Sequence, residues 1–336
     1  MLKAAVIGVG AMGHHHARIY DQMPETQLVG VADADMEAGA RIARLHHTTA
    51  YTDYHKLLDK TRPDIVTVAV PTEFHARVAL DALEAGCHVL IEKPIAATEE
   101  QARELIERAA ALERKLMVGH IVRFDPAVQE LKRRLDVGEL GRIFQVRCRR
   151  LGPFPARVQD VGVVIDLATH DLDMIRHLTG QEAVRVYAET EQEIHSEHED
   201  LLIGTVRMAD GTLGVLDINW LTPTKVRELT VTGERGMFRV DHLMQDLYFY
   251  ENAETDGERW SAISLLRGVS EGRMIRYPVR KYEPLKAELE SFVRAVVDDG
   301  PVPVDGKDGL AALKLARALI RSGREGRPII FETSKV

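Results

Sequence analysis

Residues 8–20 read GVGAMGHHHARIY. Gly8, Gly10 and Gly13 fit the pattern G-x-G-x-x-G, and the residues around them decide what that pattern means. Before it lies a short apolar run starting at Lys3. After it comes a stretch with helical spacing of apolar positions. A glycine-rich turn between a first strand and a helix is the context in which the pattern marks a dinucleotide site. In that context Gly8 permits the tight turn, Gly10 lets the backbone approach a pyrophosphate, and Gly13 lets helix and strand pack closely. The helix N-terminus, with Ala11 and Met12 leading into it, presents N–H groups and a positive dipole end to phosphate.

Other readings of the stretch are weaker. AAVIGVGAMG after Lys3 resembles the apolar segment of a secretion signal, but a buried strand and its turn account for it better. Three adjacent histidines suggest a metal site or a tag remnant. Neighbouring helical positions point about 100° apart, so His14, His15 and His16 cannot converge on one ion. The strand and helix also continue on both sides, which a tag would not do. Asp33 lies 20 residues beyond Gly13, at the end of the next apolar run. A carboxylate there accepts hydrogen bonds from the adenosine ribose and repels a 2′-phosphate. Ala34 follows, not an arginine, so NAD is expected rather than NADP.

Working outward, the first third alternates apolar strand patterns at 3–8, 27–33, 64–70, 88–93 and 116–120 with amphipathic stretches at 14–22, 35–46, 54–60, 75–85 and 98–114. That alternation predicts a doubly wound parallel sheet covered on both faces. After residue 125 the pattern changes. A helix at 126–136 leads into strands at 142–150, 183–192, 201–208, 213–220, 226–233 and 247–252, joined by tight turns such as Asp210-Gly211. These predict a mainly antiparallel sheet. Helices are expected at 163–179, 284–298 and 306–322. The fold class is therefore α/β: a Rossmann domain over 1–122, then an α+β domain over 123–336.

Composition excludes several classes. The chain has 336 residues, 44 Lys+Arg against 52 Asp+Glu, and a formal charge of -8, which argues against a nucleic-acid partner. No apolar run is long enough to span a membrane. Cys87 and Cys148 are the two cysteines; they form no metal knuckle or disulfide framework, which suits a reducing, cytoplasmic setting. The segment 195-HSEHED-200 carries H-x-x-H with acids, but between strands it reads as a polar loop, so no metal is expected. The 44-RLHH-47 stretch ends a helix, where cations complement the dipole.

Ligands of an open parallel sheet bind beyond the carboxyl ends of its strands. Two polar segments end there: 70-VPTEFH-75, with Val70, Pro71, Thr72 and His75, and 92-EKP-94, with Glu92 and Lys93. In the second half, 166-DLATHDLD-173 puts Asp166 and His170 at i and i+4, on one face of a helix. A carboxylate beside an imidazole orients it and raises its proton affinity, which suits a general base near neutral pH. Asp173 and His177 read as structural.

These segments together resemble the glucose-fructose oxidoreductase/inositol dehydrogenase/rhizopine catabolism (Gfo/Idh/MocA) superfamily over nearly the whole chain. GxGxMGxxHxR after the first strand is common there, and His16 and Arg18 occupy its His and Arg positions. The resemblance implies that Lys93, in E-K-P, reaches nicotinamide ribose and substrate. It implies that Asp166 and His170 are the acid and the proton-accepting histidine, that the domain over 123–336 serves substrate binding and oligomerisation, and that the outer face of its open, mainly antiparallel sheet makes subunit contacts in a homodimer or homotetramer. A narrower similarity, in 118-VGHIVRFDPAV-128 and 152-GPFPARVQDVGVVIDLATHDLD-173, is to UDP-N-acetylglucosamine 3-dehydrogenases. That branch is expected to read R-F-N-P, where this chain has Asp125. A nucleotide-sugar diphosphate needs guanidinium partners; Arg123 and Arg157 are the expected ones, with Arg150, Lys225 and Arg227 near them. The implied activity is NAD-dependent oxidation of a secondary sugar hydroxyl at C3. The alternatives are a dehydrogenase of a free polyol or sugar such as inositol, and a regulator that binds NAD without catalysis.

Overall fold

The structure is a computed structural model that describes residues 1–155, 161–195, 197–253 and 271–331. The chain divides into two compact units, one formed by Met1–Ile121 with Glu283–Lys314 and the other by Val122–Tyr282 with Leu315–Val336.

Six strands build the sheet of the first unit: β1 (Leu2–Ile7), β2 (Thr26–Ala32), β3 (Ala50–Tyr51), β4 (Ile65–Val68), β5 (His88–Ile91) and β6 (Leu116–Val118). Their order is β3-β2-β1-β4-β5-β6, and every pairing is parallel. This is the doubly wound order, whose switch point lies between β1 and β4. Ala4, Ala5, Val6, Ile65, Val66, Val89, Leu90 and Ile91 are fully buried. Burial on both faces explains their unbroken apolar runs. Helices α1 (Gly13–Gln22), α2 (Met36–Leu45), α3 (Tyr54–Thr61), α4 (His75–Glu84) and α5 (Glu99–Ala111) fill the connections. Asp35, Asp53 and Thr98 cap α2, α3 and α5 with their own side chains, which satisfies amides that a helix start leaves unpaired.

Residues 283–314 were expected with the second sheet, and they pack with the first. Helix Pro284–Val297 buries Leu285, Leu289 and Phe292. Val118 N–H donates to Val304 O, and Met117 forms a bridge with Asp305. The returning segment thus covers the open edge at β6, whose backbone groups would otherwise be unpaired.

The second unit carries nine strands among the described residues: β7 (Ile143–Pro153), β8 (Ala183–Glu191), β9 (Leu201–Met208), β10 (Leu213–Asn219), β11 (Leu221–Gly233), β12 (Gly236–Asp241), β13 (Asp246–Asn252), β14 (Glu271–Tyr277) and β15 (Ile329–Ile330). The order is β14-β13-β12-β11-β7-β10-β9-β8-β15, antiparallel except for the central β7–β10 pair, which is parallel. β12 and β14 were not anticipated; they extend the sheet by pairing with β11 and β13. One face packs on helices. Ile175, from α7 (Thr169–Thr179), lies against Gly214, where a Cβ would come within 2.8 Å of its Cδ1. No helix among the described residues is long and apolar enough to cross a membrane.

Candidate active site

The glycine turn forms as its spacing predicts. Gly8 has φ +86°, and a Cβ there would fall 2.5 Å from Ala69 O. At Gly13 a Cβ would come within 1.8 Å of Gly8 O, so helix and turn approach as closely as two backbones can. Nothing lies within 4 Å of a Cβ placed on Gly10, and Gly10 and Ala11 are exposed, with Met12 half-buried. Unlike α2, α3 and α5, α1 starts with no side-chain cap and no acid in its first turn. An open backbone and an uncapped helix N-terminus fit a pyrophosphate. Asp33 accepts from Val9 N–H (2.8 Å) through Oδ2 and from Asp35 N–H (2.9 Å) through Oδ1. Its carboxylate is thereby aimed over the turn, with oxygen lone pairs remaining for a ribose hydroxyl.

The segments after β4 and β5 are tied together by histidines. His75 is 2% exposed. Its Nδ1 lies 2.7 Å from Pro94 O and its Nε2 2.9 Å from Val70 O, joining 70-VPTEFH-75 to E-K-P. Burial, the largest influence, keeps its pKa below the ordinary histidine value. The neutral ring donates to one of the two carbonyls at a time. Val70 and Thr72 are half-buried and Pro71 is exposed, so these three, rather than His75, present surface at the strand ends.

His16, the third histidine of the opening stretch, is fully buried, and its Nε2 meets Glu92 Oε1 at 2.9 Å. Glu92 Oε2 in turn accepts the N–H of Lys93 at 3.2 Å. The histidine therefore braces the turn that presents the half-buried Lys93, and the Lys93–Pro94 peptide is cis. Burial would raise the Glu92 pKa, but the His16 hydrogen bond and charge, with Lys93, bring it below the usual carboxylate value.

Beside it sits a group that sequence reasoning missed. Glu288 is fully buried, and neither carboxyl oxygen has a hydrogen-bond partner among the described residues. Burial first, then the charge of Glu92, push its pKa well above the usual value. Glu288 therefore favours its neutral form, whereas Glu92 favours its ionised one. The signal was an acid inside the apolar i, i+3, i+4, i+7 stripe Leu285, Glu288, Leu289, Phe292. A consequence follows for stability. In the unfolded chain this carboxyl ionises near its ordinary pKa of about 4.3. From that pH upward the unfolded state is favoured, by up to ~1.4 kcal/mol per pH unit, until the folded-state pKa is reached. Glu288→Gln removes that slope. Urea unfolding at pH 5 and pH 8 is expected to show the variant gaining on the parent as pH rises; a constant difference would contradict the neutral assignment.

In the second unit, the helix expected over 163–179 starts differently. Val164–Ala168 is a π turn, and α7 follows it. Val163 N–H donates to Glu199 O, and Val164 N–H donates to Glu199 Oε1, so a neighbouring loop holds the start of the wide turn. Such turns recur at functional sites. Asp166 lies in the π turn and His170 in the first turn of α7, both half-buried.

The arginines separate into distinct roles. Arg123 donates from Nε (2.8 Å) and Nη2 (2.5 Å) to Asp173, both buried. Arg150 does the same to Asp171, at 2.9 and 2.7 Å. The fork of Arg123, expected to face a diphosphate, and that of Arg150, expected near it, are bonded to internal carboxylates, and Asp173, read as structural, is one of those carboxylates. Arg157 lies outside the described residues. Lys225 is exposed. Asp125, where Asn was expected, caps α6 (Pro126–Asp136) by accepting Ala127 N–H at 2.9 Å, and its other oxygen meets His242 Nδ1 at 2.8 Å. The added charge thus has its own partner. The 195-HSEHED-200 segment, of which Ser196 is outside the described residues, is a turn device. Asp200 accepts the N–H groups of Glu193, Ile194 and His195, and His195 Nδ1 accepts those of Glu197 and His198. Among the described residues no His/Cys/Asp/Glu cluster is arranged to hold a metal.

Residues 2–120 match the model of an oxidoreductase family with an NAD-binding Rossmann fold, and residues 128–239 match the GFO/IDH/MocA C-terminal domain. UDP-N-acetylglucosamine 3-dehydrogenase of Acidithiobacillus ferrooxidans is 31% identical, over 94% of this chain and 95% of the relative. The chain belongs to the Gfo/Idh/MocA oxidoreductase family. Inositol 2-dehydrogenase of Rhizobium meliloti, another relative, is 28% identical over 98% of both chains. A crystal structure of the Acidithiobacillus enzyme superposes with a TM-score of 0.83, covering 96% of this chain and 97% of that one at 30% identity. As a member of this family the chain is an NAD-binding oxidoreductase, and the glycine turn, Asp33 and the uncapped α1 are the parts of its Rossmann unit that suit the cofactor.

Proposed function

We propose that the protein oxidises a secondary hydroxyl, at C3, of a nucleotide sugar such as UDP-N-acetylglucosamine to the 3-keto sugar, reversibly and with NAD. The observation that carries this reading is the braced turn in which His16 and Glu92 hold the backbone of Lys93. It is supported by the likeness, along nearly the whole chain, to an enzyme named for that reaction. When bound, NAD supplies the hydride acceptor at C4 of the nicotinamide. His170, oriented by Asp166, takes the proton of the hydroxyl as the C–H bond gives up its hydride and the C=O bond forms. The Lys93 ammonium stabilises the negative charge that develops on the oxygen. Removing the proton is essential because a neutral alcohol is a poor hydride donor.

A second reading, a dehydrogenase of a free polyol, is favoured by the inositol 2-dehydrogenase relative. Incubation with NAD and, separately, UDP-N-acetylglucosamine, N-acetylglucosamine and inositol discriminates between them. The expected result is NADH formation with the UDP-sugar at a kcat/KM at least ~100-fold above that for inositol, a discrimination of the size that loss of buried polar contacts produces. The reverse order would replace the first reading by the second.

The reading includes assembly as a homodimer or homotetramer through the outer face of the nine-stranded sheet. Met237 pairs with Tyr250, and Tyr250 with Met274, across β12, β13 and β14. Met274 and Ile203 are exposed. Sedimentation of Met274→Glu beside the parent tests this, a lighter species being expected. The free, buried Cys87 and Cys148 are compatible with the reducing cytoplasm.

A further inference from the structure

Arg227 is unlike the other internal arginines of the second unit. It stands directly opposite Arg150 in the β7–β11 pairing, so two guanidinium stems share one face, where like charges oppose each other. Arg150 is neutralised by its fork on Asp171. Arg227 has no such carboxylate. Its Nη1 donates to Leu151 O (2.6 Å) and Val226 O (2.8 Å), and no ion pair forms within 4 Å among the described residues. Nε and Nη2, the edge that grips an oxyanion in two-point fashion, carry no hydrogen bond to the described residues.

The surroundings disfavour the lone cation. Burial, then the Arg150 charge, lower the Arg227 pKa to about 10, and Asp171 and Asp166 offset only part of this. The guanidinium also lies against Gly152, where a Cβ would sit 3.8 Å from Nη1 and 3.9 Å from Nη2, so no side chain of that residue covers it. A partly desolvated guanidinium without a counter-ion gains from an anionic ligand what it lost on burial. The carboxylate of Asp166, one of the proposed acid–base pair, is among the charges that favour the protonated form of Arg227.

We propose that Arg227 is an anion anchor of the second unit, its Nε/Nη2 edge binding an oxyanion of the substrate. Resting on the nucleotide-sugar reading, that oxyanion is a diphosphate oxygen. Arg123 and Arg150 are excluded from the role because Asp173 and Asp171 already hold their forks.

Calorimetry on the NAD-loaded protein, with UDP and with inorganic pyrophosphate as probes, tests this in Arg227→Gln and Arg227→Lys. The expected result is UDP affinity lower by about 10- to 100-fold in Arg227→Gln, the range for a hydrogen bond to a charged group, with a shallower salt dependence. Arg227→Lys recovers part of the loss. NAD affinity, measured on the same samples, stays at the parent value and shows that the variants are folded. With UDP-N-acetylglucosamine as substrate, KM rises more than kcat falls. Oxidation of that substrate with an unchanged KM in Arg227→Gln overturns the anchor and leaves the nucleotide-sugar reading standing. Oxidation of inositol alone, with pyrophosphate binding that still depends on Arg227, removes the reading and supports the anchor. Binding of neither probe in an Arg227-dependent way overturns the anchor whichever substrate is oxidised.

Discussion

His170→Ala is expected to lower kcat by about 10²–10⁴-fold, the usual contribution of a positioned acid–base group, while NAD affinity stays at the parent value. His170 sits in the first turn of α7 and is half-buried, in the unit that lacks the glycine turn. The proposed dinucleotide cradle of Gly8, Gly10, Gly13 and Asp33 therefore does not include it. Lys93→Ala is expected to cost a similar factor in kcat. The double variant should lose far less than the product of the two, because residues that act on one step as a unit are not additive. Stopped-flow formation of NADH, with NAD binding measured separately, checks both. Near-parental turnover in His170→Ala would remove it from the proposed role, and a lost NAD affinity would make it structural.

Asp171→Ala is expected to destabilise the protein by about 3–5 kcal/mol, the cost of stripping one partner from a buried ion pair. Asp171 is 2% exposed and Arg150 8%, and their two hydrogen bonds of 2.9 and 2.7 Å are those of a charge-assisted fork. Without the carboxylate, Arg150 would face Arg227 across the strand pair with both cations uncompensated. Replacing both partners, as in Arg150→Met with Asp171→Leu, is expected to recover most of the loss, because the stranded charge rather than the missing bond dominates it. Urea unfolding of the single and double variants separates the two terms. A loss below about 1 kcal/mol in Asp171→Ala would show that water reaches Arg150 in the folded state, since surface pairs are worth that little.

The candidate site was legible as a proposal because its signals are local. The glycine spacing, the acid after the second strand, E-K-P and D-x-x-x-H each depend on a few consecutive residues, and their positions at strand ends follow from the alternation of apolar runs. The arginines were less legible. Arg123 and Arg150 looked like surface cations for a diphosphate, and each instead meets an acid from α7. The pairing of Arg123 with Asp173 spans 50 residues, which no spacing rule reaches. The role of His16 was half visible: its place in the motif could be seen, but its partner Glu92 lies 76 residues away. Glu288 left a trace as an acid in an apolar stripe, yet its meaning depends on Glu92 lying beside it.

The amino-acid sequence by itself determined the two halves, the parallel sheet of the first and the largely antiparallel sheet of the second. Periodicity and glycine spacing record the local backbone directly. The tertiary structure alone decided that residues 283–314 return to cover the β6 edge, that a π turn opens the helix bearing Asp166, and which arginines are neutralised. Those outcomes are settled by contacts between residues far apart in the chain. A charge becomes a brace, a neutral acid or an uncompensated cation only through the groups that folding brings beside it.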